Sequence, residues 1–171
     1  MVFKASRQGS SIGIAIVRNK EDAEDALKQL LPLGDPILAE AFVSGKELSV
    51  PVLGNEDPEV LPVIEILSDG AFYDYESKYT PGKSRHVIPA NITAEQYRKA
   101  EEMAKKTYLA TGCRGYARVD FLLDEKGEPQ VLEVNTAPGM TATSLFPDAA
   151  NHAGISFPAL VKKLIHLALE K

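Results

Sequence analysis

Asp120, Glu133 and Asn135 are of types and at spacings that could share a cation. Asp120 lies in the strand-like run ARVDFLL, residues 117–123, and the other two lie in QVLEVN, residues 130–135. The linker between the runs is polar and contains Gly127, which is a β-hairpin signal. With Lys126-Gly127 as the turn centre, Asp120 falls opposite Glu133 and Arg118 opposite Asn135. Side chains alternate with period two along a strand, so all four share one face. The other face then sets Val119, Phe121 and Leu123 against Leu132 and Val134. Like charges directly opposite each other destabilise a sheet. A carboxylate pair with an amide oxygen therefore suits a hard cation. With so few protein oxygens, water and phosphate would complete the shell, as Mg²⁺ prefers. The same residues also read as a solvated polar face with Arg118 pairing Asp120, and the hairpin alone leaves both readings open.

The segment after Asn135 favours chemistry. Residues 136–144, TAPGMTATS, combine glycine, proline and hydroxyl groups. There Gly139 can give a bare N–H to an oxyanion, and Ser144 a hydroxyl to a carboxylate. Near the N-terminus, Lys4 precedes QGSSIG, residues 8–13, whose glycines let backbone amides approach a phosphate. This is not a P-loop, because no Gly-Lys-Ser/Thr ending is present and a strand follows. A plain Gly/Ser hairpin turn is the alternative. In EAFVSGKE, residues 40–47, an open strand edge at 41–43 would offer its backbone to an adenine ring, with Glu47 accepting from ribose hydroxyls. The alternative there is a hairpin carrying a surface glutamate.

The elements that position these groups follow from periodicity and caps. Strands are expected at about 2–5, 12–17, 37–42, 48–53 and 60–67. Asn19 caps a helix with Ala23, Ala26, Leu27, Leu30 and Leu31 inward, ended by LGDP at 33–36. Residues 68–91 are polar and aromatic with poor periodicity, and read as a lid. The part from about Gly70 to about Ala90 is expected to be the least ordered interior stretch. A capping box at 93–96 opens a helix with Tyr97, Ala100, Met103, Ala104 and Tyr108 inward, closing near Gly112. After the hairpin, Pro147 and Gly154 bracket a short helix. The last begins at Ser156-Phe157-Pro158, with Leu160, Val161, Leu164, Ile165 and Ala168 on one side. Strands first pair and then alternate with helices, which predicts an α+β fold with a mainly antiparallel sheet and flanking helices.

The totals narrow the function classes. A chain of 171 residues, 44% hydrophobic and 25% charged, is one ordinary domain with a real core. A net charge of −5 gives no electrostatic case for nucleic acid or an anionic membrane as partner. No apolar run approaches the roughly 20 residues that span a bilayer, and the start MVFKASRQ lacks a signal-peptide core. The cytoplasm is the expected location. Cys113 is the only cysteine, so no intrachain disulfide forms, and it reads as a small buried hydrophobe. The chain opens directly in a strand that runs into a glycine loop, so a fragment of a longer protein is expected.

Four separated pieces carry a family resemblance: QGSSIG at 8–13, FYDYESKY at 72–79, RVD at 118–120 and EVNTAPGMT at 133–141. The chain resembles the C-terminal ATP-grasp portion of the D-alanine–D-alanine ligases over essentially all 171 residues. The resemblance implies that the N-terminal domain and the start of the ATP-grasp domain are absent. It implies ATP and two Mg²⁺ ions (or Mn²⁺) as cofactors, D-alanine as substrate, and a homodimeric full-length parent. Lys4, Ser11 and Lys78 would contact phosphates, Glu40 and the Val43 backbone adenine, and Glu47 ribose. Asp120 and Glu133 would bind one ion, Glu133 and Asn135 the other. Arg118 and the Gly139 amide would stabilise the tetrahedral species, and Ser144 and Leu145 would hold the second D-alanine's carboxylate. Ser10 and Tyr79 would link the glycine loop to the lid. The implied reaction makes an acyl phosphate and then a dipeptide for peptidoglycan. A D-alanine–D-lactate type of ligase and a non-catalytic nucleotide-binding module are the alternatives. Ala5 and Ser77 stand where the family often has proline and alanine.

Overall fold

Side-chain and glycine caps set the helix boundaries. The computed structural model of the chain describes residues 1–8, 12–68, 84–141 and 144–170. Helix α1, Lys20–Leu30, starts at Asn19, whose side chain accepts from the Asp22 N–H at 2.8 Å. Glu21 and Asp22 occupy its first turn, where the helix dipole favours negative charge. Helix α2, Ala94–Ala110, opens with a reciprocal capping box. The Gln96 N–H donates to Thr93 Oγ1, and the Thr93 N–H to Gln96 Oε1. It closes on Gly112: the Gly112 N–H donates to the Leu109 carbonyl and the Cys113 N–H to that of Tyr108, the paired bonds of a Schellman motif. Helices α3, Leu145–His152, and α4, Phe157–Leu169, follow.

The chain divides into two units, residues 1–43 with 68–85, and residues 44–67 with 86–171. The first holds strands β1, Val2–Ala5, β2, Ile14–Ile16, and β3, Ile37–Glu40, in an antiparallel sheet ordered β2-β1-β3. The second sheet has six strands: β4, Gly45–Gly54, β5, Glu59–Val60, β6, Ile64–Ser68, β7, Ser84–Val87, β8, Gly115–Asp124, and β9, Pro129–Asn135. Its path is β7-β6-β4-β8-β9, with β5 paired to β4, and the ladders β4–β5, β4–β6, β4–β8 and β8–β9 are antiparallel. Antiparallel sheets with flanking helices make the fold α+β, as the order of elements implies.

Alternation along β4 and β8 builds the core. Leu48, Val50, Val52, Val119 and Phe121 are fully buried on one face, against Ala100, Ala104 and Tyr108 of α2. Each fully buried Val, Leu or Phe stabilises by about 1.5–3 kcal/mol, so this seam holds the second unit together. Tyr108 ends the seam, its hydroxyl donating to the Gly54 carbonyl at 2.7 Å. Burial pushes that phenol from 10.0 up to about 12, with Cys113 adding to the rise and Arg114 opposing it. An acid whose folded pKa is raised keeps its proton longer when folded, so stability falls as pH rises from 10 towards about 12. Tyr108→Phe should flatten that alkaline slope in urea titrations while costing about 1 kcal/mol at neutral pH through the lost hydrogen bond. An unchanged alkaline slope in the variant would show that Tyr108 does not cause it.

Several boundaries differ from expectation. β3 ends at Glu40, and β3 and β4 lie in different sheets, so residues 37–54 are not a hairpin and 41–43 are not a strand edge. Met103 is 38% exposed on the rim of the α2 seam, not inward. In α4, Leu160 is buried but Val161 and Ile165 are 38% and 56% exposed, because the helix turns its Leu160 side inward. Most of the expected lid lies outside the described residues. Its end is regular structure: Ser84–Val87 form β7 and Ala90 joins the core.

Candidate metal and phosphoryl-transfer site

Hydrogen-bond pairing between β8 and β9 places Asp120 opposite Glu133 and Arg118 opposite Asn135. The turn itself differs from a two-residue one. Asp124 and Glu128 close a three-residue loop, with the Gly127 N–H donating to the Asp124 carbonyl at 2.9 Å and Gly127 at φ 80°. This left-handed third loop residue is what such loops require. From the turn to Phe121, which pairs Val131, the register is one residue off the expected value. A bulge between Asp120 and Phe121 then restores it. Leu132 is the extra residue and is 41% exposed, so it does not face Phe121 as expected.

The face carrying these groups extends onto β4, whose Ser49 pairs Asp120 and whose Glu47 pairs Leu122. Asp120 is held tightly. Arg118 Nε donates to Oδ1 and Nη2 to Oδ2, both at 2.8 Å, and Ser49 Oγ donates to Oδ1 at 2.6 Å. The pairing of Arg118 with Asp120 that belongs to the alternative, polar-face reading is therefore present, and it is bidentate. Glu133 is exposed and Asn135 half-buried, with Asn135 Oδ1 accepting from the Ala137 N–H at 3.1 Å. These donors are all hard oxygens. Among the described residues no three His, Cys, Asp or Glu side chains gather at one point. A cation here would have two carboxylates and an amide, with the remaining ligands left to water or phosphate, and this set fits Mg²⁺.

The loop after β9 folds back on the start of α3. Thr141 N–H donates to Ser144 Oγ at 3.0 Å, and the two hydroxyls lie 2.8 Å apart. A Cβ on Gly139 would sit 2.8 Å from Ser144 Oγ, so any side chain there would push that hydroxyl off its present position. Ser144 is the N-cap residue of α3 but spends its side chain on Thr141. Leu145, the first residue of α3, has a buried side chain, and the first-turn amides of the helix have no carbonyl partner within it. α3 is anchored to the site face by Phe146, which meets Tyr116 of β8 edge to face with centroids 5.5 Å apart.

In the first unit, Lys4 and Glu40 form an ion pair at 2.7 Å. Each is the other's partner across the β1–β3 pair. Val43 is half-buried, in irregular chain after β3. Ser10, Ser11, Lys78 and Tyr79 lie outside the described residues. Ser49 is the site residue that sequence reading missed. Its signal is the run KELSVPV, where Glu47, Ser49 and Pro51 alternate with buried Leu48, Val50 and Val52.

The family model described as D-ala D-ala ligase C-terminus matches residues 1–166. A D-alanine--D-alanine ligase of Carboxydothermus hydrogenoformans is 56% identical over 171 residues, which covers 99% of this chain and 55% of that protein. Among solved structures, the VanG D-Ala:D-Ser ligase of Enterococcus faecalis superposes with a TM-score of 0.83 at 35% identity, covering 98% of this chain and 49% of that one. The D-alanine--D-alanine ligase of Bacillus anthracis complexed with ATP gives 0.81 at 27% identity, covering 98% and 52%. The chain spans about half the length of the curated relatives it matches.

Proposed function

The chain belongs to the D-ala D-ala ligase C-terminus family, and on that premise we propose that it is the ATP- and metal-binding half of an ADP-forming ligase. The ligase joins two D-alanines through an acyl phosphate, supplying a peptidoglycan precursor in the cytoplasm, and its full-length form is a homodimer. The observation that carries this reading is the carboxylate pair Asp120 opposite Glu133, with Arg118 and Asn135 beside it on one face. A module that only binds nucleotide has no need of that pair next to a glycine fitted against Ser144.

Asp120 with Glu133, and Glu133 with Asn135, would hold two Mg²⁺ ions, which Mn²⁺ can replace. When bound, the ions neutralise charge on the phosphoryl oxygens as it transfers. Lys4, with Ser11 and Lys78, grips the phosphates of ATP. Glu40 and the Val43 backbone hold adenine and Glu47 the ribose. Arg118 turns its guanidinium to the charge that builds as one D-alanine carboxylate takes the γ-phosphoryl group. The amine of the second D-alanine then displaces phosphate, while Arg118 and the Gly139 N–H stabilise the tetrahedral oxyanion. Ser144 and the Leu145 amide orient the second D-alanine by its carboxylate, at the positive end of α3. Ser10 and Tyr79 join the glycine loop to the lid, which excludes water from the acyl phosphate. D-alanine is taken as the second substrate on the 56% identity to a D-alanine--D-alanine ligase.

Phosphate release with ATP, Mg²⁺ and D-alanine tests the reading. A protein carrying this chain together with the other half found in its relatives should release phosphate only when D-alanine is present. The 171 residues alone should release none, because the site for the first D-alanine is placed in the other half. Sustained D-alanine-dependent release by the 171 residues would overturn that placement. Nucleotide binding that is indifferent to Mg²⁺ would favour the non-catalytic module.

A further inference from the structure

Four polar or charged residues are buried among the described ones: Ser49, Asn55, Glu65 and Asp120. Two are structural clamps. Asn55 donates to the Leu167 carbonyl and to Glu170 and accepts from the Gly115 N–H, tying the end of α4 to β8. Glu65 takes Lys46 on one oxygen and the Asn91 N–H on the other. The remaining two hold each other, Ser49 Oγ to Asp120 Oδ1 at 2.6 Å.

A carboxylate offers about four acceptor sites, two on each oxygen. On Asp120, Oδ1 accepts from both Ser49 Oγ and Arg118 Nε, and Oδ2 accepts from Arg118 Nη2 alone. Oδ1 is filled and Oδ2 keeps one site. Arg118 is also the group that the proposed reaction asks to turn towards substrate. Once it does, the Ser49 hydroxyl is the donor left on the carboxylate. Ser49 is 0% exposed, opposite Asp120 on the middle of a ten-residue strand, so it cannot follow Arg118 away.

Resting on the metal-site reading above, we propose that Ser49 is a positioning residue. It fixes Oδ1 of Asp120 and leaves Oδ2 for the cation, so that Arg118 exchanges Asp120 for substrate without the metal ligand moving. An outer-shell partner of this kind typically changes metal affinity by about 10–100-fold when removed. Its chemical requirement is a hydroxyl donor, so threonine should serve and alanine should not.

The test is Mn²⁺ titrated into the 171-residue chain, with free ion counted by electron paramagnetic resonance. Four proteins are compared: the unaltered chain, Glu133→Gln, Ser49→Ala and Ser49→Thr. Thermal melting is recorded for each. Glu133→Gln should lose Mn²⁺ binding, Ser49→Ala should weaken it by about 10-fold or more, and Ser49→Thr should restore it. If Ser49→Ala does not fold, Ser49→Cys, of similar shape and a weaker donor, takes its place against Ser49→Thr. Loss with Glu133→Gln but normal affinity in Ser49→Ala, even with a lowered melting temperature, leaves the metal site standing and overturns the role of Ser49. No uptake by the unaltered chain, or full uptake by Glu133→Gln, overturns the metal-site reading and this proposal with it.

Discussion

On the proposed function, Glu133→Gln in a protein that joins this chain to the other half found in its relatives should reduce D-alanyl-D-alanine synthesis by more than about 100-fold, beyond what loss of an outer-shell partner costs. Glu133 is the residue asked to serve both ions, and the change removes its charge while preserving its shape. Glu133 is exposed on the last strand of the sheet, so the fold has little reason to notice. Removing one of two opposed carboxylates even relieves repulsion across the β8–β9 pair. Activity and stability should therefore separate: synthesis collapses while the unfolding midpoint in urea holds or rises slightly. Excess Mn²⁺ should recover part of the lost rate if the defect is one of metal affinity. A variant with near-normal synthesis would end the metal-site reading and return this face to a solvated polar surface.

Arg118→Ala should damage stability and catalysis together. The side chains of Arg118 and Asp120 are 14% and 11% exposed and joined by two 2.8 Å bonds. Removing one partner of such a pair leaves a buried charge and costs about 3–5 kcal/mol. The double variant Arg118→Ala with Asp120→Ala should lose less than the sum of the single changes, since the orphaned charge disappears with its partner. Both the structural and the chemical readings of this pair predict that coupling. Arg118→Lys distinguishes them. It keeps the charge but not the planar fork, so it should retain much of the stability and lose at least about 100-fold in synthesis, as removal of an oxyanion donor does. Full synthesis in a stable Arg118→Lys protein would confine Arg118 to a structural role.

Local signals were legible because their causes are local. The caps at Asn19 and Thr93, the stop at Gly112 and the inward residues Ala100, Ala104 and Tyr108 depend on neighbours within a few residues, and all lie where the sequence places them. Non-local pairing was not legible. β4 takes β8 as its neighbour across a separation of 71 residues at Ser49 and Asp120, so a nearby hairpin with β3 was the natural but incorrect expectation. Ser49 was missed for the same reason, since a serine in a strand acquires meaning only from what stands across from it. Exposure of Met103, Val161 and Ile165 reflects how each helix rolls on its sheet, which an apolar stripe does not fix. Asp120 and Glu133 stand opposite each other as expected although their turn differs, because the bulge at Leu132 cancels the extra loop residue.

That cancellation makes the hairpin tip an engineering handle. Asp124 and Glu128 pair across the loop, Asp124 Oδ1 also accepts the Lys126 and Glu128 amides at 2.9 Å, and Lys99 of α2 donates to Glu128 at 2.6 Å, so the tip is closed on itself and tied to the start of that helix. The bulge stands between it and the carboxylate pair, and lengthening the loop between the closing residues should leave the strand register unchanged. A short epitope or a dye-bearing cysteine segment spliced after Glu125 would report on the protein in a crowded lysate or on a surface while Asp120 and Glu133, beyond the bulge, keep their alignment.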